Sequence, residues 1–600
     1  MKQKKYWKTI SENTSHSQNG KNRHPEFGEW VENTIFKKQL SRRDFLKWTG
    51  LTTAATTLAS CWEVPVRKAI PYFIQPEESI PGVSVHYATA YFDGEEFASL
   101  LVKTREGRPI KVDPHPKAPF NATSAKIQGS LFNLYDHRRL NSPLHKGEKT
   151  SWEKALKETK AILDSVKEGG KVRLVTPTII SPATKKLIDE FLPSFADAKH
   201  IQYDVVSFAA LLDAHKKAFG KRVVPDYRID KAKIVLGVEA DFLGGWLSAG
   251  EMARRYGVAR RVSKDSPAML LHLQAETRYS LTGSNADYRY KLKVGEHLPF
   301  IIGLYNTIAK KTDSGLPTFP VSLSQDLERH IAEVSEKLLS TPGYALVLYG
   351  PNDLKGQMFT LAINHLLGAY DSGLADVEKP LYIRQGCDQQ FFELIDEMNK
   401  GDIDVLIIYD VNPVYDYAYP MVFSEALKKV KHVITLAEKN HETAQLGEWI
   451  LPSTVPYESW RDYLPKEGVY FIAQPVFTGL YNAKQFEDVL LTWLGKEQNF
   501  YSYLKSFWTE NIYPLYGTDK EAESLWQQTI HDGFFLLKNS SGQPVEKVEQ
   551  TEEPVDLTQY VTEASQVESV EVSAPAIYLY EPIIGTGRYS NNAWLQETPE

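Results

Sequence analysis

The strongest constraint on this chain is a series of short apolar runs separated by longer stretches of helical periodicity. Residues 172–176, 233–237, 269–273, 345–349, 405–408 and 432–436 are such runs. Apolar runs of about five residues with little polar alternation suit parallel strands covered on both faces. Between them, residues 181–191, 358–367 and 423–429 read as helices, the first entered through Pro182, where the fixed φ of proline suits a first helical turn. A further strand is predicted at 201–206. The pattern is a succession of βαβ units. It predicts an α/β fold, a mostly parallel, Rossmann-like arrangement with helices on both faces.

Ahead of this body the periodicity changes. Residues 83–92 and 97–104 alternate, Asp93-Gly94 between them is a hairpin signal, and 105–108 form another turn. Residues 61–150 therefore read as a small β-rich region. Ser151 is a good N-cap for a helix opening at Trp152, and Glu153 sits near its positive end. The α/β body spans 151–480, and 481–545 is a helical region with one apolar side around Trp493 and Leu494. Residues 546–571 hold eight acids and one base, which reads as a solvated linker. That linker is assigned to 546–575. Residues 576–600 read as the start of a further part, beginning with a strand at 576–580.

Residues 1–60 form a separate case. They carry eleven Lys and Arg against five acids, a surplus of six. The whole chain has a formal charge of −7, so the remainder is near −13. An acidic body argues against a nucleic-acid partner. Residues 41–61 read SRRDFLKWTGLTTAATTLASC. Arg42-Arg43 followed by Phe45-Leu46 resembles a twin-arginine export signal. The run behind it is shorter and weaker than the about 20 apolar residues a span requires. It ends at Cys61 in a sequence that resembles a lipobox, which implies lipidation of Cys61 after cleavage and a location on the periplasmic face of the cytoplasmic membrane. No later segment is apolar for long enough to cross a bilayer.

Cysteine usage is restrictive. The chain has two, Cys61 and Cys387. With Cys61 committed to lipid, neither a disulfide framework nor a four-cysteine zinc or iron–sulfur site can be built. Cys387 itself reads as a small core residue. His432 and His441, with Glu438 and Glu442, lie close in sequence but on a strand and a loop, so they are not expected to converge on a metal. Arg254-Arg255 and Arg260-Arg261 read as a basic, solvated helix face.

Several stretches resemble the molybdopterin oxidoreductases. Residues 151–156 (SWEKAL) are similar to the family's SWEEAL helix. Residues 404–413 (DVLIIYDVNP) are similar to its strand ending in Gly-x-Asn-Pro, with Asp410-Val411 in place of Gly-x. Residues 443–452 (TAQLGEWILP) and 458–468 (ESWRDYLPKEG) resemble the segments that follow. Residues 65–72 (PVRKAIPY), 102–110 (VKTREGRPI), 241–248 (DFLGGWLS) and 281–287 (LTGSNAD) resemble more narrowly the large iron–sulfur/molybdopterin-like subunit of alternative complex III, a quinol-oxidising assembly. That resemblance implies a molybdoenzyme-like body without its metal cofactor. It also implies a ferredoxin-like cluster part beyond the end of this chain, so that the chain is expected to be a fragment or a split form. The implied partners are an iron–sulfur cluster domain or subunit, multihaem cytochrome c subunits and integral-membrane quinol-site subunits.

In active relatives, two pterin dithiolenes and one protein ligand hold the molybdenum, and most carry an N-terminal cysteine-bound cluster. Residues 62–150 contain no cysteine, so that cluster is not expected. The resemblance implies no catalytic and no metal-ligating residue, and it makes the βα turns at Gly237, Gly350 and Asn412 the vestigial corners that would face pterin and phosphate. The expected function is a cofactor-free, non-catalytic scaffold in a quinol-oxidising respiratory complex. The rival is a periplasmic molybdopterin-dependent oxidoreductase acting on a small oxyanion or sulfur compound, and a third reading is a free-standing lipoprotein binding module.

Overall fold

Two parallel sheets organise the chain. The computed structural model describes residues 82–262, 268–477, 479–516, 521–537, 555–569, 576–580 and 585–597. The larger sheet has seven strands in the order Glu148–Lys149, Leu144–His145, Trp449–Pro452, His432–Ala437, Val405–Tyr409, Lys171–Thr176, Asp197–Gln202. The last five of these are mutually parallel. The second sheet is parallel throughout, in the order Tyr288–Lys291, Leu271–Glu276, Ile234–Val238, Ala345–Tyr349. Every residue of Val405–Tyr409, Ile234–Val238 and Ala345–Tyr349 is buried. With no solvent face, these strands have no reason to alternate.

The apolar runs are therefore shared between two sheets. The chain lays down four strands of the larger sheet, two of them in its parallel part, leaves to build the second sheet between 234 and 349, and returns for Val405–Tyr409 onward. An antiparallel sheet of five strands, Phe534–Leu536, Val469–Ala473, Arg461–Lys466, Ala375–Leu381 and Val224–Tyr227, draws on both halves of the chain. The N-terminal hairpin region is a three-stranded antiparallel sheet, Val85–Phe92, Phe97–Arg105 and Arg108–Pro114. Local capping follows the sequence. The Ser151 side chain accepts from the Lys154 N–H, and that of Ser181 accepts from the Thr184 N–H with Pro182 inside the first turn.

Four local expectations need correction. The strand expected at 201–206 is Asp197–Gln202, whose first half is only half-buried and so lacks an apolar signature. The first part of the helical region 481–545 is two helices, Phe486–Trp493 and Phe500–Phe507, separated where Asn499 caps the second. Within the acidic stretch, Leu557–Gln566 is a helix rather than a solvated linker. Its buried Tyr560, Val561 and Ala564 pack against the helix Leu354–Leu366, and the Tyr560 hydroxyl donates to the Ala214 carbonyl at 3.1 Å. Three apolar residues on one face were enough to dock it. Residues 576–580 form no strand and pair with none among the described residues.

Of the four arginines at 254–261, Arg261 is exposed and the other three are paired with acids. Arg254 pairs with Glu251, Arg255 is buried against Glu251 and Asp226, and Arg260 pairs with Asp287. Among the described residues no helix is long and apolar enough to cross a membrane.

Candidate functional site

At the carboxyl edge of the larger sheet lies a cavity of ≈ 520 Å³. This is where open α/β sheets place their ligands, because the strand ends and helix starts leave a crevice there. One wall is the turn after Val405–Tyr409. Asp410 adopts a left-handed backbone, φ 54°, and the chain passes through Asn412 into the short helix Pro413–Asp416. The Asn412 side-chain oxygen accepts from the Thr443 N–H (2.9 Å) and hydroxyl (2.8 Å), and its amide donates to Glu442 at 2.8 Å. Asn412 thus ties this turn to the next one along the sheet. The opposite wall is the hairpin turn at 93–95, where one Asp93 oxygen accepts from the Glu95 and Glu96 N–H groups.

The lining is acidic. Seven carboxylates face the cavity against Arg138, Lys439 and Arg588. Asp204 is held by the Thr178 hydroxyl at 2.7 Å and the Gly386 N–H at 2.9 Å. Asp416 accepts from the Tyr203 hydroxyl at 2.8 Å. Burial outweighs that hydrogen bond and pushes the Asp416 carboxyl up to about 7. Burial likewise lowers the His441 imidazole, which accepts from the Ala444 N–H at 3.3 Å.

The Asp416 shift has a measurable consequence. An unfolded aspartate titrates near ~4. The folded state is therefore the better proton binder, and this group's contribution to stability declines as pH rises from about 4 to about 7. Between pH 5 and 7 the decline is expected to be on the order of 2 kcal/mol. Asp416→Asn should flatten that limb in urea unfolding curves. An unchanged slope in the variant would mean the carboxyl is ionised throughout.

The second sheet has a matching corner. Glu239 follows Ile234–Val238 as Asp410 follows Val405–Tyr409, and it too is left-handed, φ 51°. Non-glycine residues enter this region at a cost of about 1–2 kcal/mol each, so tertiary contacts must hold them there. Beside it, the Gly350 N–H donates to the Val238 carbonyl at 2.9 Å, and a Cβ on Gly350 would lie 2.0 Å from the Glu239 carbonyl oxygen. Only glycine fits that approach. Gly237 is not at a corner: it is the fourth residue of its strand, and Gln274 of the neighbouring strand occupies the space beside it. The residue at the turn is Glu239.

Both acidic corners are met by the end of the chain. The Tyr578 hydroxyl donates to Glu239 at 2.9 Å, and the Arg588 guanidinium pairs with Asp410 at 2.6 Å. Burial opposes the Arg588 charge, but Asp410, Asp93 and Glu438 around it raise its pKa well above the ordinary arginine value.

Of the residues singled out in the sequence, Asn412 lines the large cavity, whereas Gly350 lies at the other sheet, so the two do not converge. Arg42, Arg43, Phe45, Leu46 and Cys61 lie outside the described residues. Cys387 is half-buried at the N-cap of Asp388–Lys400 rather than in the core. His432 pairs with Glu448 at 2.7 Å, away from His441. Among the described residues no group of three or more His, Cys, Asp or Glu side chains could hold a metal ion. Sequence reading missed Asp93, Glu239, Asp410, Asp416 and Arg588 as corner residues. The available signal was Asp410-Val411 standing where the family resemblance has Gly-x.

Comparison with known proteins agrees with this architecture. Residues 39–59 match the twin-arginine translocation pathway signal sequence, which directs export across the cytoplasmic membrane. The menaquinone reductase molybdopterin-binding-like subunit of Nitratidesulfovibrio vulgaris is 23% identical over 515 residues, covering 76% of this chain and 72% of the relative. Acetylene hydratase from Pelobacter acetylenicus superposes with a TM-score of 0.57 at 13% identity, covering 76% of this chain and 74% of that one. The fold is molybdopterin-oxidoreductase-like, mixed α/β with parallel sheets and a small antiparallel N-terminal sheet.

Proposed function

We propose that this chain is an exported, cofactor-free, molybdoenzyme-like body that serves as an architectural subunit of a membrane-bound quinone-linked redox complex. The observation that carries the reading is the pair of corners. A molybdopterin dinucleotide brings a pyrophosphate to the carboxyl edge of such sheets. Here the residue after each strand is a carboxylate, Glu239 in one sheet and Asp410 in the other. Carboxylates repel a bound pyrophosphate, and the large cavity has seven of them against three cations. The residues do not fit the group, and no chemical step is derived through it.

The likeness to a menaquinone reductase subunit supports a quinone-linked assembly, with menaquinone as the quinone. Within that class we assign the chain to the large subunit of alternative complex III. Its partners are an iron–sulfur cluster domain or subunit, multihaem cytochromes c and integral-membrane quinol-site subunits. Lipid on Cys61 holds it to the periplasmic face of the membrane. We read its task as setting distances between redox centres carried by others; the net negative charge of the body, and the lack among the described residues of a group of three His, Cys, Asp or Glu that could hold a metal ion, support that reading.

Purification of the native complex in mild detergent tests this. The chain is expected to copurify with haem-bearing and multi-span subunits. Gel-purified chain should contain less than about 0.1 molybdenum per polypeptide, since a bound cofactor gives about one. Stoichiometric molybdenum with turnover on a soluble oxyanion would replace this reading with the enzyme.

A further inference from the structure

Residues 585–597 form part of the wall of the crevice of the larger sheet, where Thr586, Gly587, Arg588, Ser590 and Asn591 line it, and run on to the helix Ala125–Gly129. Their contacts combine charge, aromatic and apolar recognition. Arg588 pairs with Asp410. The Tyr589 ring is buried; its hydroxyl donates to Asp93 and lies 2.6 Å from that of Tyr91. The Asn592 amide donates to the Gly129 carbonyl at 2.7 Å. Leu595 is fully buried beside Gly129, where a Cβ would stand 2.8 Å from Leu595 Cγ. At Gly587, φ 94°, a Cβ would lie 2.5 Å from the Tyr415 ring.

These are features of a built receptor. The body supplies an acid for the arginine, a buried hydroxyl-and-carboxylate pair for the tyrosine, and a hole shaped by the absence of a side chain at 129. Peptide segments are recognised in this manner, by a few anchor side chains in separate pockets, here from a turn and the short helix Ala593–Gln596. The partners lie 178 residues apart for Arg588 and 496 for Tyr589, so the contact is a docking event rather than a local turn.

We infer that the crevice at the carboxyl edge of the larger sheet is a peptide-binding site whose ligand is residues 585–597 of the chain itself. The ligand class is a cationic–aromatic peptide read at Arg588, Tyr589, Asn592 and Leu595. This rests on the architectural reading in one respect, that no dinucleotide fills the crevice. It goes beyond it by assigning the crevice a ligand and by explaining why the corner after Val405–Tyr409 is an acid.

The test uses the full chain and a fluorescent synthetic peptide of residues 585–597. In the triple variant Arg588→Ala, Tyr589→Ala, Leu595→Ala the crevice is vacated by its own segment. Fluorescence anisotropy is expected to show saturable binding of the peptide to this variant, at least about tenfold tighter than to the wild-type chain, where the site is filled in cis. A peptide carrying Arg588→Ala and Tyr589→Ala should lose that binding. Equal affinity for both chains, or none for the variant, overturns the inference.

Should the variant fail to fold, hydrogen exchange on the wild-type chain decides. The Asn592 and Leu595 amides, which donate to the Tyr589 carbonyl and the Asn592 side chain, should exchange at least about tenfold more slowly than in the free peptide. Exchange at the free-peptide rate overturns the inference. Molybdenum in the native chain would defeat the architectural reading by a different measurement, so the two failures are distinguishable.

Discussion

Replacing Asp226 with alanine is expected to destabilise the folded chain by about 3–5 kcal/mol. Asp226 lies on Val224–Tyr227 with no exposed surface. Arg255 reaches it from the helix Ala249–Ala259 at 2.5 Å, and Lys466 reaches it from the neighbouring part of the antiparallel sheet. Burial alone would raise the Asp226 carboxyl, but these two cations hold it below the usual aspartate range. Without the carboxylate, Arg255 and Lys466 face each other across a largely buried site, and Glu251 is already shared between Arg254 and Arg255. Breaking a buried pair is costly because the survivor keeps its desolvation penalty. Urea unfolding of Asp226→Ala measures the effect, and a loss under about 1 kcal/mol would mean the cluster is hydrated. The sign with pH is opposite to that of Asp416. A depressed folded pKa stabilises above the unfolded value near ~4, and that stability is lost as pH falls.

The second large effect is at Glu458. Its carboxylate receives both terminal nitrogens of Arg139, at 2.8 and 2.6 Å, and both side chains are only 1% exposed. The guanidinium also lies 4.7 Å from the Tyr481 ring centroid. This pair fastens the N-terminal region to the connection after Trp449–Pro452, and an isolated bridge from Arg139 to Lys439 fastens it to the turn after His432–Ala437. Glu458→Ala strands the guanidinium in a buried site and is expected to cost about 3–5 kcal/mol. The double variant Arg139→Met, Glu458→Leu should recover most of that loss, because two apolar groups leave no charge unpaired. If the double variant is as unstable as the single one, the side chains serve by shape and not by charge.

How far the sequence could be read depends on the range of the forces involved. The six apolar runs became strands because a strand buried on both faces needs apolar residues along its whole length, which is a local requirement. The cap at Ser151 and the helix entry through Pro182 formed as expected, and Ser181 caps that second helix, because a side chain and a main-chain N–H three residues on are within reach. The twin-arginine signal is likewise a linear message.

The division of those strands between two sheets was not legible, since an apolar run specifies burial and not its neighbour. The helix Leu557–Gln566 was hidden by the acids around its three apolar contacts. The corners were the greatest departure. Glycine is the residue that enters a left-handed turn without penalty, so Gly237 was the natural choice, yet Glu239 and Asp410 take those conformations. Contacts with Thr277 and Tyr578 for one, and with Arg588 for the other, hold them.

The amino-acid order alone thus determined the six apolar strands, the helix starts at Trp152 and Pro182 and the export signal, all of which act within a few residues. Only the tertiary structure decided which strands meet, which carboxylates share a cavity, and which distant segment completes its wall. Those are contacts between residues hundreds of positions apart, whose energies exist only once the chain has closed on itself.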